Sequence, residues 1–272
     1  MLRFTDIGFS YRSSDEGVAA LRGVSLHVAP GELVGVLGAN GSGKSTLVRM
    51  ANGILTPDFG WVEADGLRTS DEQRVRELRQ HVGVVFQHPD DQIVATTVED
   101  DVAFGPENLG LDSAELRARV EAALTAVGLL GFEHREPHLL SGGQKQRLVI
   151  AGALAMDPGY LVLDEPTSML DPTGRAEVLA VIERLRTWGK GILQVTHDLA
   201  EVAGASRVVV LRCGEVAFTG TPLELFGQAE LLESCGLALP PVVAMVRRLR
   251  FLGVPVPPGL HDPLRLSEAL WA

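Results

Sequence analysis

The hydrophobic pattern changes period repeatedly along the 272 residues. Runs at 33–37, 82–86, 161–164, 192–196 and 208–211 are apolar with little alternation, which predicts short strands buried on both faces. Between them, apolar residues recur at helical spacing. Leu47, Met50, Ala51 and Ile54 mark one helix; Leu116, Val120, Ala123, Leu124 and Val127 a second; Val178, Val181, Ile182 and Leu185 a third. Strands alternating with helices predict an α/β fold built on a mainly parallel sheet covered on both faces.

Around that alternation the pattern is more varied. Residues 1–30 read as short strands broken by a polar turn at 12–17, with Tyr11 just before it. A turn at 57–60 leads into a short strand pair, and a polar helix is predicted over 71–80, with Ser70 and Gln73 spaced as a capping box. Residues 88–147 are polar and acidic and read as a helical subdomain inserted into the sheet domain, with Asp112 and Glu115 spaced to cap one of its helices. From about residue 226 the alternation stops. A helix should start at Pro240-Pro241, turn Val242, Met245, Val246, Leu249 and Leu252 inward, and stop at Gly253, before a Pro-rich stretch at 254–258 and a last apolar turn at 264–271. The chain therefore divides into a domain at 1–225 and an extension at 226–272.

Composition narrows the function classes. An apolar fraction of 46% with 22% charged residues describes an ordinary globule, and a net charge of −11 argues against a nucleic-acid footprint. The uncharged apolar stretches at 148–156 and 237–246 are about half the length a bilayer requires. The first residues lack the apolar core of a signal peptide, so any membrane role is expected through a partner. Cys213 and Cys235 stand far apart, which suits a reducing cytosol and suggests neither a disulfide framework nor a metal knuckle.

The candidate chemistry centres on Gly38-Ala39-Asn40-Gly41-Ser42-Gly43-Lys44-Ser45-Thr46, set between a predicted strand and a predicted helix. Glycines there let backbone N–H groups turn around phosphate oxygens, and the helix N-terminus adds positive partial charge. Lys44 would reach the β- and γ-phosphates and Ser45 would hold Mg²⁺. The chain is expected to bind a nucleoside triphosphate. Leu161-Val162-Leu163-Asp164-Glu165 is a strand ending in two acids: Asp164 placed to hold Mg²⁺ in the second coordination shell, Glu165 to orient or deprotonate a water. Taken alone, a strand running into a solvated acidic turn fits those residues as well. Leu140-Ser141-Gly142-Gly143-Gln144-Lys145-Gln146-Arg147 reads as a capped helix start that also aims N–H groups and a hydroxyl at an anion.

Together, residues 38–46, Gln87, 140–147, 161–166, 168–171 and His197 resemble the nucleotide-binding subunit of an ATP-binding cassette (ABC) transporter, over residues 1–225 and in that family's order. The resemblance implies a P-loop NTPase (RecA-like) core, an antiparallel β subdomain, the inserted helical subdomain and a short helical C-terminal extension. It also implies ATP hydrolysis with Mg²⁺ by two ATPase subunits closed head-to-tail. By that resemblance Tyr11 stacks on adenine, Gln87 links Mg²⁺ and the water to a transmembrane partner, and His197 contacts the γ-phosphate. Ser141, Gly143 and Gln144 would face the nucleotide of the opposite subunit, and Asp171 would cross the dimer interface. On their own, Tyr11, Gln87 and His197 would read as ordinary aromatic or polar positions, and Asp171 as a cap for the helix opened by Pro172.

The stretch Gln87-His88-Pro89-Asp90-Asp91-Gln92 followed by residues 97–108 is similar to a narrower group, the ATPases of energy-coupling factor importers of vitamins and metal ions such as cobalt and nickel. His88 departs from the Asn usual there. This implies a peripheral protein on the cytoplasmic face of the membrane, working on a transmembrane coupling subunit and a substrate-binding membrane protein, with the C-terminal extension helping the ATPases pair. Two rivals remain: an ATPase of another ABC transporter class, and a soluble ABC ATPase of DNA repair or translation. The absence of a second phosphate loop, a heptad run or a basic arm weighs against the latter.

Overall fold

The computed structural model describes residues 1–11, 18–256, 266 and 268. The predicted turn at 12–17 and most of the apolar stretch at 264–271 lie outside them.

The centre is a six-stranded sheet. Its strands are β3 (Leu33–Leu37), β6 (Val82–Val85), β7 (Tyr160–Asp164), β8 (Gly191–Thr196), β9 (Arg207–Arg212) and β10 (Glu215–Gly220), ordered β10-β9-β3-β8-β7-β6. The five strands from β9 to β6 are parallel, and β10 pairs antiparallel with β9. The unalternating apolar runs are explained by two cores, one on each side of the sheet. On β3, Leu33 and Leu37 pack into one while Val34 and Val36 pack into the other. Each such side chain contributes about 1.5–3 kcal/mol on full burial.

One core is closed by α3 (Val98–Glu107), α4 (Ser113–Val127), α5 (Gly142–Ala155) and α6 (Pro172–Thr187). The other is closed by α1 (Lys44–Ala51) and an antiparallel sheet of β1 (Leu2–Tyr11), β2 (Val18–Val28), β4 (Phe59–Ala64) and β5 (Leu67–Arg68), in the order β2-β1-β4-β5. The predicted helical stripes are largely buried: Leu47, Met50 and Ala51 on α1, Val120, Ala123, Leu124 and Val127 on α4, with Leu116 partly covered, and Val178, Val181, Ile182 and Leu185 on α6. Ile54 is the exception, since α1 ends at Ala51 and leaves it exposed. Asp112 caps α4 by accepting the N–H groups of Ala114 and Glu115.

Three local readings are corrected. The polar helix is α2 (Val75–His81), and no Ser70–Gln73 box starts it. Asp71 instead accepts from Gln73 and Arg74 in a turn that leads into the helix, its carboxylate reaching N–H groups two and three residues ahead as Asp commonly does in turns. The strand β4 begins at Phe59, inside the turn expected at 57–60. Helix α7 (Pro222–Phe226) runs up to the expected boundary, and the extension contains α8 (Ala229–Ser234) and α9 (Pro241–Phe251). On α9 the buried residues are Val243 and Val246, with Val242 and Leu249 partly covered, whereas Met245 and Leu252 are exposed. The inward stripe is rotated: Val243 joins the first core, while Val246, Val242 and Leu249 meet a small third cluster with Val256 and Leu266. Among the described residues no helix is long and apolar enough to cross a membrane.

Candidate active site

The phosphate-type loop leaves the C-terminal end of β3 and enters α1. Gly43 stands at the N-cap with φ of 105°, where a Cβ would lie 2.6 Å from the Ala20 carbonyl oxygen. Only glycine satisfies both the dihedral and the space. No side chain caps α1 and no acid sits in its first turn, so its leading N–H groups face the loop's interior with the helix's positive end behind them. Lys44 is buried and folds back over the loop, donating from Nζ to the carbonyls of Gly38 (2.8 Å) and Ala39 (3.0 Å). Burial pushes its pKa below the ordinary lysine value, against the upward pull of Glu165 and Asp164.

Across from it, β7 delivers Asp164 and Glu165. Burial pushes the Asp164 carboxyl above its usual pKa, although a hydrogen bond from Ser45 works the other way. One of its oxygens, Oδ1, is buried with no hydrogen-bond partner among the described residues, and so is the Ser42 hydroxyl. An orphaned carboxylate oxygen beside a serine hydroxyl fits a hard, oxygen-seeking cation such as Mg²⁺. The orphaned Ser42 hydroxyl within the loop fits a phosphate oxygen.

Glu165 has a left-handed backbone, φ 47°, and its N–H donates to the Val195 carbonyl of β8 at 2.9 Å. Three side chains converge on its carboxylate: His197 Nδ1 at 3.3 Å, Gln87 Nε2 at 3.4 Å and Lys44 Nζ at 3.9 Å. Gln87 also reaches Ser168 Oγ at 3.4 Å, and that hydroxyl donates to the Glu165 carbonyl at 3.1 Å. These residues border a cavity of about 810 Å³ that also takes in Tyr11, Asn40, Gly41, Ser45 and Thr46. The Tyr11 hydroxyl lies 3.2 Å from Thr46 Oγ1, and its ring meets Phe9 edge-to-face with centroids 5.0 Å apart.

The second predicted group does not border that cavity. Ser141 caps α5 in a complete capping box: its hydroxyl accepts from Gln144 N–H, and the Gln144 side chain accepts from Ser141 N–H. Gly143 is buried against α6, where a Cβ would come within 2.8 Å of Gly174 Cα. Asp171 caps α6, accepting from Gly174 N–H at 2.7 Å.

Several residues of the site carried no readable signal in the sequence. Gln92 holds the strand end before Gln87, accepting from Phe86 N–H at 2.7 Å. Asp90 pairs with Lys145 at 2.7 Å, joining the segment after Gln87 to α5. Asp101, in the segment read as polar and acidic, is buried and accepts from the N–H groups of Val94 and Ala95. Gly236, from the extension, borders the main cavity. Asp90 has a partner 55 residues away, and Gln92 and Asp101 bond back across irregular loops of six or seven residues, so neither strand nor helix periodicity could have found them.

Residues 21–168 match the ABC transporter family. The energy-coupling factor transporter ATP-binding protein EcfA1 of Symbiobacterium thermophilum is 54% identical over 270 residues, covering 97% of this chain and 94% of that protein. Among solved structures, cbiO1 from Clostridium perfringens, part of the ABC transporter complex cbiONQ, has a TM-score of 0.78 at 36% identity over 90% of this chain and 98% of that one. A dimeric ATP-binding cassette, MJ0796, in a post-hydrolysis state with ADP and phosphate has a TM-score of 0.74 at 30% identity over 82% and 99%. This chain belongs to the ABC transporter family and is the ATP-hydrolysing subunit of an energy-coupling factor type transporter.

Proposed function

We propose that the chain works in a head-to-tail dimer, with itself or a close homologue, on a transmembrane coupling subunit, and so powers import of a transition-metal ion or a vitamin captured by a substrate-binding membrane protein. It would sit peripherally on the cytoplasmic face of the membrane. The observation that supports its catalytic half is the convergence of Lys44, Gln87 and His197 on the one carboxylate of Glu165.

In this reading the loop from Gly38 through Asn40, Gly41, Ser42, Gly43 and Thr46 holds the phosphates, and Tyr11 stacks on the adenine. Lys44 leaves the carbonyls of Gly38 and Ala39 for the β- and γ-phosphates, an exchange of neutral acceptors for charged ones. Ser45, Asp164 and Gln87 hold Mg²⁺, which when bound neutralises charge on the β- and γ-oxygens. Glu165, fixed by its backbone bond to β8, orients the attacking water and takes its proton, while His197 and Gln87 keep the carboxylate aimed. Ser141, Gly143 and Gln144 complete the partner's site through the first turn of α5, and Asp171 lies at the boundary between subunits. Residues 1–225, with the helical insert at about 88–147, form the cassette, and 226–272 assist pairing. Motion of the segment after Gln87, transmitted through the Asp90–Lys145 pair, carries closure to the membrane partner.

Two measurements test this. Tagged protein drawn from detergent-solubilised native membranes should bring down a coupling subunit and a small integral membrane binding protein; a conventional permease pair would move the chain to another ABC class. Glu165→Gln should trap an ATP-bound dimer and reduce turnover by about 10²-fold or more. Unchanged turnover in that variant sinks the assignment of Glu165.

A further inference from the structure

Two separate loops bring Glu165 and His197 together: one after β7, the other after β8. Beyond the direct His197–Glu165 contact, the Glu165–Val195 backbone bond and the β7–β8 pairing, a cluster of side chains behind the site ties the two loops together. Glu201, on the turn at Leu199–Val202, is only 4% exposed. It accepts from the Thr167 hydroxyl, from Gln194 Nε2 at 3.2 Å and from Arg175 of α6 at 3.1 Å. Arg175 also pairs with Asp198, the neighbour of His197, and Thr167 lies two residues beyond Glu165. Burial opposes the charged form of Asp198, but bonds from Arg175 and Ala200 N–H outweigh it and hold that carboxyl below its usual pKa. Gln194 and Thr167 are themselves buried.

Neither Glu201 nor Arg175 borders the nucleotide cavity. The Glu201 carboxylate is buried while Arg175 is 34% exposed, and an ion pair with one buried member is a poor way to gain stability, since well-packed apolar residues of similar volume often do as well or better. What this one provides is geometry. We infer that Glu201, with Arg175, is a positioning residue that locks the Glu165 segment to the His197 segment and so sets the rate of hydrolysis without contributing to nucleotide binding. The inference rests on the roles given above to Glu165 and His197.

The experiment is a double-mutant cycle in the full chain, read as steady-state phosphate release, with a fluorescent ATP analogue titrated separately. Glu201→Gln should lower kcat by about tenfold, a fraction of the roughly 10²–10⁴ that a positioned base contributes. KM for ATP and the analogue's affinity should stay within about twofold, because no group at the nucleotide is lost. In a His197→Ala background, whose residual rate is followed over hours, the same substitution should cost less than about twofold, since residues acting as a unit are not additive. Equal losses in both backgrounds, an affinity that falls with kcat, or no change in kcat would each overturn the inference. Should Glu201→Gln fail to fold, Thr167→Val removes the hydroxyl link alone and should show the same split, with a fall of about threefold; wild-type turnover there overturns the proposal equally. Glu165→Gln separates the two levels. If that variant turns over normally, the site assignment itself is wrong; if it is inactive while Glu201→Gln is silent, only the tie is wrong.

Discussion

Helices α1 and α5 both start on glycine-containing turns, and both lack acids in the first turn, unlike α3, α4 and α7, which carry Glu99, Glu115 and Glu224 there. Their N-termini are nevertheless finished in opposite ways. The α1 start is uncapped by any side chain, with a buried hydroxyl and a buried carboxylate oxygen left without partners beside it. The α5 start closes on itself through Ser141 and Gln144. The first is an incomplete polar site, which has a cost until a ligand satisfies it. The second is stable alone and has only spare capacity: the Ser141 proton and the N–H groups at the head of the helix. In the proposed dimer a nucleotide is therefore drawn first to α1, and α5 adds to it from the other copy.

The largest effect that sharpens this contrast is Lys44→Ala. Removing the one buried cation of the α1 site should abolish detectable affinity for a fluorescent ATP analogue and cut hydrolysis by about 10²–10³-fold. Retained affinity would mean that the open helix start is not where the phosphates sit. Next in size is Ser141, where two substitutions split cap from phosphate contact. Ser141→Ala should cost about 1 kcal/mol of stability and lower turnover together. Ser141→Asp keeps a good cap but points negative charge toward the phosphate, so melting should stay near wild type while turnover falls by about tenfold or more. Normal hydrolysis by Ser141→Asp would make the α5 start a cap and nothing else.

The contrast was partly legible beforehand. The Lys44-Ser45 offset and the Ser141–Gln144 spacing are local, and local chemistry survives folding: the loop stands between strand and helix, and the capping box forms as spaced. The parallel strands were legible because runs buried on both faces do not alternate. What sequence could not supply was the crossing of segments. The convergence on Glu165 joins residues 44, 87 and 197, and nothing in their spacing requires it. The edge strand β10 escaped notice because its hairpin turn is Cys213-Gly214, with φ of 52° and 81°; cysteine is not a residue that announces a left-handed turn. Asp71 displaced the Ser70–Gln73 box by taking the Gln73 N–H itself, together with that of Arg74.

The smallest prediction concerns a helix start with no functional claim on it, Asp112 at α4. Its carboxylate accepts from the N–H groups of Glu115 and Ala114, which hold its pKa below the ordinary value despite slight desolvation. Asp112→Ala should lower the melting temperature by about 2–4 °C at neutral pH and leave turnover unchanged. The sign of the pH dependence follows from the depressed pKa. The folded state favours the ionised cap, so its stabilisation is complete above the unfolded carboxylate value of about 4 and is lost as pH falls through the lower folded value. The melting difference between wild type and Asp112→Ala should therefore shrink in acid. Asp112→Asn, a cap that does not titrate, should keep a constant difference from Asp112→Ala over the same range. If Asp112→Ala slowed hydrolysis as much as Ser141→Asp does, the distinction between a helix start that only caps and one that also reaches for phosphate would fail for this chain.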